Sequence, residues 1–164
     1  MKVFKNVLDQ ETMVNVKKDI ENLSCQNVWR SSQFFWSKGI LEKVTGDCSI
    51  AVVKDSIANQ IKKCILDKLP PTESMTFQYY VWRQNSGIAL HSDQGFKYGA
   101  TIYLNNNWDI NSGGIFLWEE GDYLKGICPE YNTMILNDEK EFHLVTTVSP
   151  LITEFRCTIQ IWGA

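Results

Sequence analysis

The spacing of hydrophobic and polar positions changes at Pro70 and Pro71, which divide the chain into two parts. Upstream, apolar residues recur every three or four positions in "LDQETMVNVKKDIENL" and in "DSIANQIKKCILDKL". This period predicts two amphipathic helices, the first with Asp9 as its N-cap. The apolar faces of the two helices are Met13, Val14, Val16, Ile20 and Leu23, and Ile57, Ile61, Cys64, Ile65 and Leu69. Between the helices, "SQFFWSKG" and "CSIAVV" are predicted to be short strands or extended segments.

Downstream of Pro71 the pattern changes to short β-prone runs separated by Gly, Asn and Asp. The runs are "MTFQYYVW", "YGATIYLN", "GIFLWEE", "YLKGI", "TMILN", "FHLVTTV" and "FRCTIQIW". Many short strands at close spacing predict an antiparallel sandwich or barrel, and the two helices can then cover the outside of one sheet.

The last of these runs alternates between an apolar face and a polar face that also carries an aromatic residue. Its apolar face is Phe155, Cys157, Ile159 and Ile161, and its polar face is Arg156, Thr158, Gln160 and Trp162. Two other strands behave similarly, with Thr101 and Tyr103 on one of them and Thr76, Gln78, Tyr80 and Trp82 on the other. Polar and aromatic faces on several strands predict the lining of a cavity rather than plain solvent exposure.

Length and composition restrict the protein to one compact domain over residues 1–164. The chain has 164 residues, 44% of them hydrophobic, and a formal net charge of -3, so a nucleic-acid partner is not expected. The first twenty residues lack the apolar stretch and the small-residue cleavage site typical of a signal peptide, and no apolar run reaches roughly 18 residues. We therefore expect a soluble, cytoplasmic protein with no membrane association. Five scattered cysteines suggest reduced structural thiols rather than disulfides or a zinc site.

The candidate chemistry begins with His91 and Asp93. Residues two apart on an extended segment point the same way, so these side chains can offer a nitrogen and an oxygen to one point. His143, the only other histidine, can add a third ligand and complete the two-histidine, one-carboxylate triad of non-haem Fe(II) oxygenases. The alternatives are a surface histidine beside a solvated aspartate at His91, and a core or strand-edge histidine at His143.

Arg156 lies thirteen residues after His143, on the polar face of the last strand. A guanidinium held there requires a buried anion, because an unpaired buried charge is costly. The alternative is an internal salt bridge to an acid such as Glu154 or Asp138.

These landmarks resemble the 2-oxoglutarate and Fe(II)-dependent dioxygenases, specifically the prolyl 4-hydroxylase-like branch. The resemblance runs from about Met75 to Trp162 and includes "HSD", "TIYLNNNWDINSGGIFLW", Pro129 before "YNTMIL", "HLVTTV" and "RCTIQIW". It implies a mainly β protein with flanking helices, α+β in class, whose core is a double-stranded β-helix (jelly-roll, cupin-like) barrel. Residues 75–162 would form this catalytic core, and residues 1–70 would supply supporting helices and strands on one sheet.

The resemblance also implies roles for individual residues. His91, Asp93 and His143 correspond to the iron ligands. Arg156 corresponds to the basic residue that pairs with the far carboxylate of 2-oxoglutarate, and Tyr103 to a tyrosine that helps to hold it. Trp162 matches a tryptophan that lines the active site near substrate.

The implied activity is hydroxylation of an unactivated C–H bond, with oxidative decarboxylation of 2-oxoglutarate to succinate and CO₂. Fe(II) and O₂ are required for this reaction, and ascorbate is a supporting reductant. The resemblance favours a prolyl residue of a peptide or protein, or free proline, as substrate. It leaves the oligomeric state open.

The sequence departs from the family at Trp82, where a tyrosine is usual. Tyr80 lies two residues earlier on the same face, so either residue can contact cosubstrate or substrate, or simply fill the cavity. The spacing from His143 to Arg156 is also longer than in the oxygen-sensing members, which implies a wider turn around "VSPLITE". Two other classes stay open: a non-catalytic barrel that retains the pocket, and a cupin-like metal or small-molecule binding barrel.

Overall fold

The computed structural model describes every residue from Met1 to Ala164. Twelve strands form two antiparallel sheets, and three helices accompany them. The strands are β1 (Lys2–Lys5), β2 (Arg30–Ser31), β3 (Val44–Thr45), β4 (Cys48–Val52), β5 (Met75–Trp82), β6 (Gly87–His91), β7 (Tyr98–Tyr103), β8 (Phe116–Glu120), β9 (Tyr123–Ile127), β10 (Thr133–Asp138), β11 (His143–Val145) and β12 (Arg156–Gly163). The helices are α1 (Gln10–Cys25), α2 (Lys38–Leu41) and α3 (Asp55–Ile65). None of the helices combines the length and apolar character needed to cross a bilayer.

The larger sheet has the order β1-β10-β7-β12-β5-β4-β2, and the smaller has the order β3-β6-β11-β8-β9. Strand β12 lies at the centre of the larger sheet, paired with β5 on one side and β7 on the other. Two facing antiparallel sheets of this kind form the predicted jelly-roll core, and the mainly β fold class is confirmed.

Helices α1 and α3 cover the outer face of the larger sheet, as predicted. Asp9 caps α1, because its Oδ1 accepts a hydrogen bond of 2.7 Å from the backbone N–H of Thr12. The helices bury their apolar stripes against the outward side chains of β5, β7 and β12 in a core of 19 residues. Val14 is an exception to the predicted stripe, since 44% of its surface stays exposed.

A second core lies between the two sheets. It consists of ten buried residues: Cys48, Ile50, Tyr80, Trp82, Ile88, Tyr103, Phe116, Ile135, Val145 and Val148. The alternation of each central strand therefore turns one face toward the helices and the other toward the smaller sheet. This arrangement turns the polar faces identified in the sequence toward the interior of the sandwich.

One local prediction was wrong, and one edge of the larger sheet was not predicted. The segment "SQFFWSKG" is not extended: it contains a 3-10 turn over Ser32–Phe34 and leads into α2. Ser31 and Ser37 precede these turns with extended backbone, and the Ser31 hydroxyl accepts a hydrogen bond from the N–H of Gln33. Strand β1 was not predicted; it is held as an edge strand by its pairing with β10. We call residues 32–43 the strap, because this segment runs along the cavity described below.

Candidate active site

A cavity of about 770 Å³ opens between the two sheets. Its floor is the inner face of the larger sheet, its opposite wall is β6 and β11, and the strap closes part of its rim. The polar side chains that the sequence places on alternating faces line this floor: Thr76, Gln78, Tyr80 and Trp82 from β5, Thr101 from β7, and Arg156, Thr158, Gln160 and Trp162 from β12. The cavity therefore brings three strands of polar and aromatic groups to one volume.

His91, Asp93 and His143 converge on one side of this cavity. Their ligand atoms all lie within 4.8 Å of one another, and all three side chains are buried. The Nε2 of His91 lies 3.6 Å from Asp93 Oδ1, and the Nε2 of His143 lies 3.5 Å from Asp93 Oδ2. His91 and His143 reach this point because they are partners in the pairing of β6 with β11. Two imidazole nitrogens and a carboxylate are a donor set that suits a non-haem Fe(II) ion.

The orientation of both imidazole rings is fixed by the backbone. The Nδ1 of His91 lies 2.9 Å from the carbonyl oxygen of Ala89, and the Nδ1 of His143 lies 2.9 Å from that of Glu141. A carbonyl oxygen can only accept a hydrogen bond, so Nδ1 carries the hydrogen and Nε2 keeps its lone pair for a metal. Burial lowers the pKa of both histidines, while Asp93 opposes this shift. The rings therefore favour the neutral form that binds a cation.

Asp93 is also held by a residue of the larger sheet. Asn137 donates a hydrogen bond of 2.8 Å to Asp93 Oδ2. Gly99 leaves room for Asp93 and Trp162, because a Cβ on Gly99 would lie 2.9 Å from Asp93 Oδ2 and 3.1 Å from the ring of Trp162. These contacts fix the carboxylate beside Trp162.

Arg156 enters the cavity from the beginning of β12 and is 1% exposed. Its Nε donates a hydrogen bond of 2.9 Å to the carbonyl oxygen of Gly114. No carboxylate lies within ion-pair distance of the guanidinium, so the internal salt bridge to Glu154 or Asp138 does not form. The guanidinium carbon instead lies 5.8 Å from the centre of the Trp82 ring. A buried cation with aromatic neighbours and no counter-ion is suited to bind an anion.

Tyr103 adds a second donor beside Arg156. Its ring centre lies 5.3 Å from the guanidinium carbon, and its hydroxyl is buried with no hydrogen-bond partner. Burial raises the pKa of Tyr103 to about 12, so the hydroxyl keeps its proton at neutral pH. An unpaired buried hydroxyl next to an unpaired guanidinium fits a carboxylate group that would accept hydrogen bonds from both.

Asn105 and the two glycines of the "NSGG" turn hold Arg156 in place. Asn105 accepts a hydrogen bond from the N–H of Cys157 and donates one to the carbonyl oxygen of Phe155, so it grips the backbone on both sides of Arg156. Gly113 and Gly114 have positive φ values of 66° and 63°. From the sequence alone, Asn105 is a turn residue, and the two glycines serve a turn or, as the less favoured alternative, a close approach of the backbone at the cavity. A Cβ on Gly114 would lie 2.6 Å from Arg156 Cδ, so this glycine is also required for the close approach of the arginine.

Tyr80 and Trp82 both face the cavity. Their side chains have different neighbours there. Trp82 packs between Arg156 and Trp36 of the strap, whose ring centre is 5.7 Å away. The hydroxyl of Tyr80 accepts a hydrogen bond of 3.0 Å from Trp36 Nε1 and donates one of 3.2 Å to Gln78 Oε1. The phenol proton of Tyr80 is therefore directed to another side chain of the protein.

All the residues singled out from the sequence lie in or against this one cavity. Tyr103 is the one that stands behind the lining, with its hydroxyl toward Arg156. Sequence reasoning missed Asn137 and Asn105 as contributors. For Trp36 the sequence favours packing, with an aromatic lip beside the cavity as the alternative, and the structure places Trp36 in the cavity lining. Asn137 carried a usable signal, since it is a polar residue that directly follows the apolar residues Met134, Ile135 and Leu136.

Comparison with solved structures places this architecture among known folds. A prolyl-4-hydroxylase from Pseudomonas putida superposes with a TM-score of 0.75 at 13% sequence identity, covering 99% of this chain and 90% of that one. A prolyl hydroxylase from Trichoplax adhaerens, in complex with a peptide fragment of the hypoxia inducible factor oxygen degradation domain, gives 0.74 at 17% identity, covering 99% and 82%. The viral collagen prolyl hydroxylase of Paramecium Bursaria Chlorella virus-1 gives 0.63 at 13%, covering 98% and 93%.

The fold is that of the prolyl 4-hydroxylases. The predicted resemblance is thereby confirmed for the architecture over almost the whole chain. No family model and no curated protein matches the sequence. At these identities the shared fold says nothing about substrate, so the activity has to be argued from the site itself.

Proposed function

We propose that the protein is a 2-oxoglutarate- and Fe(II)-dependent dioxygenase that hydroxylates an unactivated C–H bond. The observation that carries this proposal is the presence, in one cavity, of a two-histidine, one-carboxylate cluster and a buried arginine without a counter-ion. The cluster suits the metal, and the arginine suits a carboxylate of the cosubstrate. Neither feature is needed to stabilise the fold, because buried unpaired charge lowers stability.

The residues on this side of the cavity fit an Fe(II) ion. His91, Asp93 and His143 would hold it through two Nε2 atoms and a carboxylate oxygen. When bound, Fe(II) with 2-oxoglutarate and O₂ supplies the oxidising power for C–H hydroxylation, while 2-oxoglutarate is converted to succinate and CO₂. Asn137 would orient Asp93 through its hydrogen bond, and the carbonyls of Ala89 and Glu141 would orient the two rings.

Arg156 and Tyr103 would bind the distal carboxylate of 2-oxoglutarate. The guanidinium supplies charge, and the Tyr103 hydroxyl supplies a donor that the protein leaves unused. Because the surroundings are buried, a carboxylate bound here is shielded from water, which strengthens the ion pair. Fixing this end orients the opposite, 2-oxo end toward the triad.

A prolyl residue of a peptide or protein, or free proline, is the substrate class that we propose. Support comes from the fold shared with prolyl hydroxylases, one of which is bound to a peptide fragment. Phe96 and Trp162 stack with ring centres 4.7 Å apart on the cavity lining, and an apolar ring such as that of proline packs well on an aromatic surface of this kind.

The test is an anaerobic titration of metal-free protein with Fe(II) and then 2-oxoglutarate. Bidentate binding of the 2-oxo acid to Fe(II) gives a visible metal-to-ligand charge-transfer band. We expect the band in the wild type, a weaker band for Arg156→Ala at limiting 2-oxoglutarate, and no band for His143→Ala. A screen of prolyl peptides and free proline for 2-oxoglutarate turnover then tests the substrate class.

Two outcomes would contradict the proposal. Wild-type protein that binds Fe(II) but gives no band with 2-oxoglutarate would favour a cupin-like metal-binding barrel. A band without any turnover on the prolyl screen, together with no uncoupled decarboxylation of 2-oxoglutarate, would favour a non-catalytic binding protein.

A further inference from the structure

Two carboxamides lie side by side on the cavity floor. Gln78 of β5 and Gln160 of β12 are direct cross-strand partners, and both line the cavity. Side chains in such a pair have Cβ atoms about 5 Å apart, so both amides can reach one group of a bound ligand. Gln160 is only 8% exposed, which makes it a buried polar group whose hydrogen bonds matter.

The oxygen end of each carboxamide is occupied by a neighbour from the protein. Thr101 Oγ1 donates to Gln160 Oε1 at 2.7 Å, and Tyr80 Oη donates to Gln78 Oε1 at 3.2 Å. The second bond runs from Tyr80 to Gln78, because a carboxamide oxygen can only accept, while the Tyr80 oxygen itself accepts from the Trp36 indole N–H. The phenol proton is thus left for Gln78.

The nitrogen ends of the two carboxamides are free for a ligand. Each NH₂ group offers two donors, and neither donates to a protein atom in the structure. Since both side chains line the cavity, these donors are available to an oxygen acceptor inside it. A carboxylate, with two oxygens that each accept hydrogen bonds, matches a pair of adjacent amide donors.

The pair lies between the two ends of the proposed cosubstrate site. The inward side chains of β12 are, in order, Arg156, Thr158, Gln160 and Trp162. Trp162 lies close to the metal-binding cluster. A Cβ on Gly99 would lie 2.9 Å from Asp93 Oδ2 and 3.1 Å from the Trp162 ring, so these two side chains are neighbours. A ligand that extends from Arg156 to the triad therefore passes over Gln160 and its partner Gln78.

We propose that Gln78 and Gln160 form a paired amide donor site for the carboxylate of 2-oxoglutarate that lies farther from Arg156. This inference rests on the proposed function and adds two specificity-determining residues to it. Tyr80 cannot supply this donor while its proton is directed to Gln78, and the Trp82 indole packs between Arg156 and Trp36. Tyr80 and Thr101 act as positioning residues, since each holds the oxygen of one carboxamide.

The experiment measures 2-oxoglutarate affinity directly, by the charge-transfer band of anaerobic Fe(II) protein. The variants are Gln78→Leu and Gln160→Leu, with Gln160→Met as a second choice that keeps the side-chain length. Each is expected to bind 2-oxoglutarate roughly ten-fold more weakly, because it loses a hydrogen bond to a charged acceptor. The matched control is Gln84→Leu, whose exposed side chain donates only to the carbonyl of Ile152 outside the cavity. Its affinity should equal that of the wild type.

A second ligand identifies the end of the molecule that the amides contact. 2-Oxobutyrate lacks the distal carboxylate. The Gln78 and Gln160 variants should still bind it roughly ten-fold more weakly than the wild type, whereas Arg156→Ala should bind it as tightly as the wild type. The inference is overturned if both glutamine variants bind 2-oxoglutarate like the wild type while Fe(II) binding is intact. It is also overturned if their penalty disappears with 2-oxobutyrate. A wild type that gives no band with 2-oxoglutarate overturns the proposed function instead, and the inference with it.

Discussion

Asn137 donates a hydrogen bond of 2.8 Å to Asp93 Oδ2, and this contact joins the larger sheet to the metal-binding cluster. Groups that orient metal ligands in this way commonly change metal affinity by 10- to 100-fold when removed. Asn137→Leu is therefore expected to weaken Fe(II) binding by roughly that factor, measured by competition with a chelator. Asn107→Leu, at an exposed turn position, is the control and should bind Fe(II) normally. Equal affinities for the two variants would show that Asn137 has no part in ligation.

Gly114 can be separated from ordinary turn glycines by comparison with Gly121. Both have φ of +63°, but a Cβ on Gly121 meets nothing within 4 Å, whereas one on Gly114 would collide with Arg156. Gly121→Ala should cost only the backbone strain, about 1 kcal/mol in unfolding free energy. Gly114→Ala should cost more and should also weaken 2-oxoglutarate binding, because Arg156 has to move. Urea unfolding and the band titration measure the two effects, and equal behaviour of the two variants would contradict this account.

Asp19 fastens helix α1 to the larger sheet. Its carboxylate is buried, accepts a hydrogen bond of 3.1 Å from Tyr79 Oη and pairs with Lys54 Nζ at 3.0 Å. Asp19→Ala leaves the buried Tyr79 hydroxyl without a partner and should lower the unfolding free energy by roughly 2 kcal/mol. Tyr79→Phe should cost about 1 kcal/mol, and Lys54→Met less than that, since Lys54 is half-exposed. Urea denaturation gives the order, and a larger loss for Lys54→Met than for Asp19→Ala would refute it.

The cysteines should differ in their reaction with iodoacetamide. Burial raises the pKa of Cys48 well above its ordinary value and the pKa of Cys157 to about 11. A raised pKa keeps the thiol protonated, so alkylation at pH 8 is slow and accelerates as the pH rises toward the pKa. We expect exposed Cys25 to react first and Cys48 last in the folded protein, as followed by peptide mass spectrometry. Early modification of Cys48 would mean that the inner core opens readily.

The sequence specified the central part of the molecule well. The alternation in "FRCTIQIW" correctly separated Ile159 and Ile161 from the face that carries Arg156 and Gln160. Phe155, also predicted to face the core, precedes β12 and is exposed, so the prediction was wrong there. The prediction succeeded because one face of β12 packs against apolar side chains under the helices, whereas the other face lines a polar cavity. The helical periods of α1 and α3 were equally informative, because one stripe of each is buried against the sheet.

The sequence was less informative wherever structure depends on partners distant in the chain. Strand β1 has no strong pattern of its own and exists through its pairing with β10. The strap has a β-prone composition around Phe34 and Phe35, yet a turn capped by the Ser31 side chain and the short helix α2 determine its local conformation. The contact between Asn137 and Asp93 depends on how the two sheets pack, and no local pattern encodes that distance.

Strand β12 packs one face against the helix-covered core and lines the cavity with the other, and this restricts where insertions and deletions can occur. Removing one residue between Arg156 and Trp162 would exchange the faces of all the residues beyond it, placing isoleucines in the ligand cavity and polar groups against the helices. Residues 150–154 are under no such constraint, because they belong to no strand, whereas residues 146–149 are held by backbone hydrogen bonds and by the burial of Val148. Length variation among relatives of this chain should therefore accumulate just before Arg156 and stop abruptly at it.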